Sequence, residues 1–435
     1  MERVRALDSI LGSWVLDAES RVDESAINKA RSQLVDFVGI VLATKRLSQA
    51  EQFAPAGSLA TPELTAFELA ARSHYLDYDD TFQAAQIHPS GLLWAALLSS
   101  SEADGGRLLR LYAASAELFC RMAAAVIPQR TWFLTQTLGS IVAATAHAVA
   151  ERLSDQAISD AAALAYMQAS GTKQPALQPG STSRRVYPGF AAHAGVFAAR
   201  LAASGMKGPS AWIDGPAGLG QAYLGDPGYG ERLEGALETK DFRLLPHIYA
   251  KPWPCCSLNL PYIAMLQELK AEVGDLTKAQ VTLYFPEEDR TLVKPLAQRR
   301  NPETIPDAKY SIPFVAALTM ATAEPNLAAW SHNVLEDASI RTIASEIRVQ
   351  QASTRAVEVI LRGRRLVREE TERTLPEWDP ARINAKFAQC TDYAGIESGD
   401  GSAILAEIIA FDSLKNVRNG ITMTEIREVL GLAEA

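Results

Sequence analysis

The sequence predicts a mainly α protein: a large all-α helical domain with an inserted, smaller α+β lid domain. Three observations carry this expectation. Up to about residue 210, apolar residues recur at helical spacing in one segment after another. Between about 249 and 379, short alternating segments of strand type stand among helices. From about 380 the helical pattern returns. Residues 1–248 plus 380–435 are therefore expected to build the helical domain and residues 249–379 the lid, in a chain of 435 residues that is long enough for two cores.

The elements follow in order. Ile27, Leu34, Val38, Val41 and Leu42 share one helical face, with Asp23 or Ser25 as the cap. Residues 64–76 place Leu64, Phe67, Leu69, Ala70 and Leu76 on an apolar side, and an apolar run restarts at 90–98. Helices are expected over 107–126 and 136–153. Residues 171–189 and 214–230 read as loops, the second with six Gly and two Pro. Gly215 to Gly220 lacks the glycine spacing of a dinucleotide-binding turn, and no strand precedes it. In the helix at 191–203, Ala191, Gly195, Ala198 and Ala202 form a small-residue face, and Gly205 ends it. That face lets another helix approach closely and supports the expectation of a homodimer built mainly from the helical domain. Strands are expected at 280–284, 347–350, 357–361 and 366–368, with helices at about 307–322 and 335–346 among them. Ala381–Cys390 and Ile404–Asn416 close the chain as helices.

Composition narrows the function. With 48% hydrophobic and 21% charged residues, a net charge of −9 and no Lys/Arg run, nucleic acid is not an expected partner. Apolar runs fall short of the ~20 residues of a membrane span. The start, Met1-Glu2-Arg3-Val4-Arg5, leads into no signal-type apolar core, and the four Cys form no framework, which suits a reduced, cytoplasmic compartment. The six His and four Cys lack metal-ligand spacing, so no structural zinc or iron–sulfur site is expected.

The chemistry concentrates in Asp77-Tyr78-Asp79-Asp80-Thr81 and His88-Pro89-Ser90-Gly91. An acid-rich bend between apolar helices is a candidate active-site wall, because buried carboxylates must be paired or used. His88 is the natural general acid/base, since imidazole titrates near working pH. Asp77 can orient it or act as a base. Thr81 can hold a carboxylate or cap a helix, and one of Asp79 and Asp80 is expected to cap structure starting at Thr81.

Several segments together resemble the MmgE/PrpD family, whose members include 2-methylcitrate dehydratase, cis-aconitate decarboxylase and iminodisuccinate epimerase. They are Asp36-Phe37-Val38-Gly39, the two motifs at 77–91, Thr135-Gln136-Thr137-Leu138-Gly139, Ser170-Gly171-Thr172 and Gly189-Phe190-Ala191-Ala192. Lys251-Pro252-Trp253-Pro254-Cys255-Cys256 and Tyr310-Ser311-Ile312-Pro313-Phe314 complete the set. The resemblance implies a homodimer, a cleft between the two domains and cofactor-free chemistry on a small carboxylate. It implies Asp77, His88, Lys251 and Tyr187 as catalytic residues, with Thr81, Arg184, Arg185 and Cys256 binding substrate. This chain departs from the family pattern where Arg184 replaces a lysine and where Phe133, Tyr187 and Leu260 replace histidines. Phe314 stands where an aromatic hydroxyl sometimes occurs. Dehydration or decarboxylation is the first expectation. Epimerisation or isomerisation, and a non-catalytic member that only binds a ligand, are the alternatives.

Overall fold

The computed structural model describes residues 2–45, 47, 61–129, 131–178, 180–371, 375 and 379–411. It is mainly helical, 62% helix and 8% strand, with a small mixed sheet in the C-terminal region. The described residues fall into two compact units. The first draws on Met1–Gln174, Arg185–Ala250 and Pro380–Ala435, and the second on Pro175–Arg184 and Lys251–Asp379.

In the first unit, Glu24–Lys45 is a single long helix, started by Asp23, whose carboxylate accepts from the Ala26 amide at 2.8 Å. Pro62–Tyr75 and Pro89–Leu98 flank the acid-rich bend. Both begin with Pro at an N-terminal position, where its missing N–H costs nothing. The second is buried on every side, as its unbroken apolar sequence demands. The segment expected as one helix over 136–153 is two, Leu134–Thr137 and Gly139–Ala150, with the break at Leu138.

Tyr187–Ala203 explains its small residues directly. A Cβ on Gly195 would stand 2.6 Å from the Ala143 Cβ and 2.8 Å from the Ser140 carbonyl oxygen, so only glycine permits this approach to Gly139–Ala150. Ala191, Ala198 and Ala202 are likewise buried within the subunit. The small-residue face is used inside one chain, which removes it as an argument for self-association. Gly205, at φ +92°, ends this helix in the left-handed region.

The glycine-rich stretch 214–230 is more regular than its composition suggests. Leu219–Leu224 forms a π-helical turn that stops at Gly225 (φ +62°), and Tyr229–Ala236 is helical. The last described helix is Ser398–Ile409. The part of the expected helix beyond Phe411 lies outside the described residues.

The second unit carries a four-stranded sheet. Its order is Arg348–Gln351, Gln280–Phe285, Ala356–Leu361, Arg364–Glu369. The first pair is parallel and the others antiparallel. Gln280–Phe285 alternates in burial as its sequence alternates in polarity. Arg362 (φ +51°) and Gly363 (φ +79°) make the tight turn between the last two strands. The helix Leu260–Val273 packs on the sheet, and Ile312–Ala321 packs on that helix. The expected helix 307–322 breaks at Ser311, whose hydroxyl caps the new helix by accepting from the Phe314 amide at 3.1 Å.

One buried ion pair ties the C-terminal return of the first unit to its centre. In Pro380–Ala394, Lys386 lies 2.6 Å from Asp36 on Glu24–Lys45, both almost wholly buried. Removing one partner of such a pair leaves an uncompensated charge and typically costs about 3–5 kcal/mol. Lys386→Met is expected to lose that order of stability in urea unfolding, and Asp36→Leu/Lys386→Met to recover most of it. A single variant as stable as wild type would show that the pair is not a fastening.

Candidate active site

The acid-rich bend is folded inward and anchored at almost every residue. Asp77 sits in the left-handed region at φ +56°, which a non-glycine residue adopts only when its surroundings require it. Lys386 supplies part of that requirement. Its ammonium donates to the Tyr78 carbonyl at 2.8 Å and lies 3.8 Å from the centre of the Tyr78 ring. Asp79 accepts from His74 Nδ1 at 2.7 Å, and both side chains are buried. No helix begins at Thr81. Thr81–Phe82 is a short strand paired with Ile248–Tyr249, Thr81 opposite Tyr249, and Phe82 turns back onto Ile87. The capping expectation moves to a later helix: Asp80 accepts from the Ser90 amide at 3.2 Å and its hydroxyl at 2.7 Å, at the start of Pro89–Leu98.

His88 is held in a defined tautomer. Its Nδ1 lies 2.6 Å from the Asp80 carbonyl oxygen. A carbonyl can only accept, so Nδ1 carries the hydrogen and the lone pair of the neutral ring is on Nε2. The His88 amide donates to Thr135 Oγ1 at 3.1 Å. The Asp79 carboxylate is 3.7 Å from His88 Nδ1, placed to balance an imidazolium. The ring has His74 at 5.0 Å and Phe133 at 5.9 Å between centroids, and Phe133 packs on Tyr187 at 4.6 Å. Phe133 thus forms an apolar wall beside the imidazole.

Asp80 is a perturbed carboxylate of the bend. Burial, then the neighbouring Asp79, push its carboxyl up to about 7, against the bonds from Ser90. The Ser90 hydroxyl also lies 2.5 Å from the Tyr112 hydroxyl. Burial likewise raises Asp36, with Lys386 opposing it.

The remaining expected residues divide. Thr81 Oγ1 is buried without a hydrogen-bond partner, as a hydroxyl reserved for a ligand would be. Tyr187 is buried, and its hydroxyl donates to the Thr172 carbonyl. Donating a proton to a substrate would mean giving up that bond. Arg185 stacks over Tyr75 at 4.1 Å, in the first unit. Arg184, one residue earlier, belongs to the second unit, where its guanidinium lies 4.0 Å from the centre of the Tyr310 ring. Lys251 is fully buried and Cys256 half-buried, both in the second unit; the Cys256 amide donates to the Lys309 carbonyl at 3.1 Å. Asp77, Thr81, His88 and Tyr187 all belong to the first unit.

Sequence reasoning missed His74 and Lys386. His74 lies five residues before its partner Asp79, at the end of a helix that points into the bend, and that spacing was a usable signal. Lys386 stands about 300 residues away, and nothing local marks it.

His74, Asp79 and His88 also place ligand-type atoms within 4.8 Å of one another. His88 Nδ1–H is engaged by a carbonyl and His74 Nδ1 is bound to Asp79, so a cation taking either Nδ1 would displace that bond.

The MmgE/PrpD N-terminal domain family matches residues 10–232, just over half of the chain. The chain belongs to the MmgE/PrpD family. Members are generally dehydratases or related enzymes, and the family suggests dehydratase or lyase-type activity in general. The match contains the whole acid-rich bend and Arg184 to Tyr187; Lys251 and Cys256 lie beyond it. A search of curated proteins gave no match. Among the described residues, no helix is long and apolar enough to cross a membrane.

The raised Asp80 carboxyl gives a pH test. The folded protein keeps this proton up to about pH 7, whereas an unfolded aspartate loses it near pH ~4. The folded state therefore binds the extra proton between those values, and stability falls as pH rises through the window. Asp80→Asn cannot titrate. In urea unfolding, wild type is expected to lose ground to Asp80→Asn between pH 5 and pH 8. A difference that stays flat would mean Asp80 is ionised throughout.

Proposed function

We propose that the protein is a cofactor-independent lyase, a dehydratase or decarboxylase, acting on a small polycarboxylate or related acid by proton transfer next to a carboxylate. The observation that carries this reading is the fixed tautomer of His88, whose neutral ring carries its hydrogen on Nδ1 and its lone pair on Nε2. In dehydration, Nε2 takes the proton from the carbon next to a carboxylate. The electron pair forms the double bond, and the hydroxyl leaves with a proton as water. In decarboxylation, the electrons of the broken C–C bond remain on carbon and are quenched by a proton from the imidazolium, while carbon dioxide leaves. Asp79 balances the charge on the ring during either transfer, and Asp77 assists His88 in moving the proton.

Arg184 and Lys251 bind the acid groups of the substrate and spread developing negative charge, and Cys256 contributes to the same binding. Guanidinium stays charged at working pH, so Arg184 binds but does not shuttle protons. Arg185 is left the lesser part, because its guanidinium is already stacked on Tyr75. Elimination is favoured over epimerisation for a chemical reason. Inversion needs a proton donor on each face of the carbanion, and the hydroxyl of Tyr187, the candidate for a second donor, is engaged by Thr172. The family resemblance also supports a homodimer. Phe190 and Phe197, 49% and 40% exposed on Tyr187–Ala203, give such a contact apolar surface.

The test uses whichever acid the wild-type enzyme consumes from a panel including cis-aconitate, 2-methylcitrate, citraconate and tartrate. His88→Ala is expected to lower kcat by roughly 10²-fold or more, the usual scale for losing a general acid/base, with KM little changed. Arg184→Ala is expected to raise KM as well. Undiminished turnover by His88→Ala would place the base elsewhere.

A further inference from the structure

The second unit holds a buried cation that no sequence motif announced. Arg299, on Leu296–Arg300, is only 8% exposed, and Arg184 only 4%. Both are arranged around Tyr310. Arg184 lies over its ring at 4.0 Å, and Arg299 Nη1 donates to its carbonyl oxygen at 3.1 Å. Burial works most strongly against the charge of Arg299, Asp307 supports that charge, and Arg184 opposes it less strongly than Asp307 supports it.

Neither arginine has a salt bridge to a carboxylate among the described residues. Asp307, whose charge favours that of Arg299, accepts from the Gly180 amide at 3.0 Å and the Thr304 hydroxyl at 2.6 Å. Arg184 Nη2 and Arg299 Nε are each buried without a hydrogen-bond partner. Two like charges removed from water, with unused donors, are unfavourable unless an anion completes them. An arginine fork suits a carboxylate, which can accept from both.

We propose that Arg184 and Arg299 together form an anion site that receives one carboxylate group of the substrate, with Tyr310 as the spacer that holds them apart. This deepens the lyase reading by assigning a second cation to the binding of a substrate carboxylate. It rests on that reading for the identity of the anion as a substrate group, but not for the existence of the site.

The test is calorimetric titration of the full-length protein with citrate and with succinate, at an ionic strength held constant with sodium chloride. Wild type is expected to bind at least one of them. Arg299→Met and Arg184→Met should each weaken that binding at least about tenfold, as loss of a charge-assisted pair requires. Their combination should be weaker by less than the product of the two effects, because they share one anion. Arg299→Lys keeps a charge and should recover part of the affinity, which guards against a fold defect in Arg299→Met. His88→Ala should bind like wild type. No carboxylate binding to wild type, or Arg299→Met binding as tightly as wild type, would overturn the site. Intact binding with no turnover of any acid would leave the site standing and overturn the lyase reading.

Discussion

The candidate site depends on one constraint: an acid-rich bend must be turned inward and every charge on it answered. Lys386 is central to this. It neutralises Asp36 at 2.6 Å, holds the Tyr78 carbonyl at 2.8 Å and lies on the Tyr78 ring. The residue on one side of Tyr78 is Asp77 in its left-handed conformation. On the other side follow Asp79, tied to His74, and Asp80, tied to Ser90. The helix from Pro380 therefore does more than complete a bundle. It places a cation beneath a segment that would otherwise be driven towards solvent.

The consequence reaches His88 through the backbone. Because Asp80 is fixed by the start of Pro89–Leu98, its carbonyl is fixed too, and that carbonyl selects the imidazole tautomer. Phe133 and Tyr187 then close one side with aromatic surface. His88 is thereby held in one orientation, with aromatic rings on one side and the carboxylate of Asp79 near its Nδ1.

Much of the fold was legible because its signals are local. The helical periods around Val38, Leu69 and Leu118 and the alternation in Gln280–Phe285 appear where expected. The bend was legible because Asp77, Asp79, Asp80 and His88 are adjacent in sequence and chemically costly to bury. Three things were not. The break at Leu138 is announced by no proline and no capping side chain. The small face of Tyr187–Ala203 gave the closeness of approach but not the identity of the neighbour, which is Gly139–Ala150 of the same chain. Lys386 and Arg299 act on residues 308 and more than 100 positions away, respectively, and their roles exist only once the chain has folded.

The central claim is that the bend fixes the proton of His88 on Nδ1, and it can be measured without a substrate. Long-range nitrogen–proton correlation spectra of protein labelled with ¹⁵N-histidine distinguish the two neutral tautomers, with His88→Gln identifying the signal. The account predicts an Nδ1-protonated ring with a bare Nε2 above the pH at which the imidazole loses its charge. A His88 ring protonated on Nε2 would contradict it, because the base would then be turned away from its chemistry.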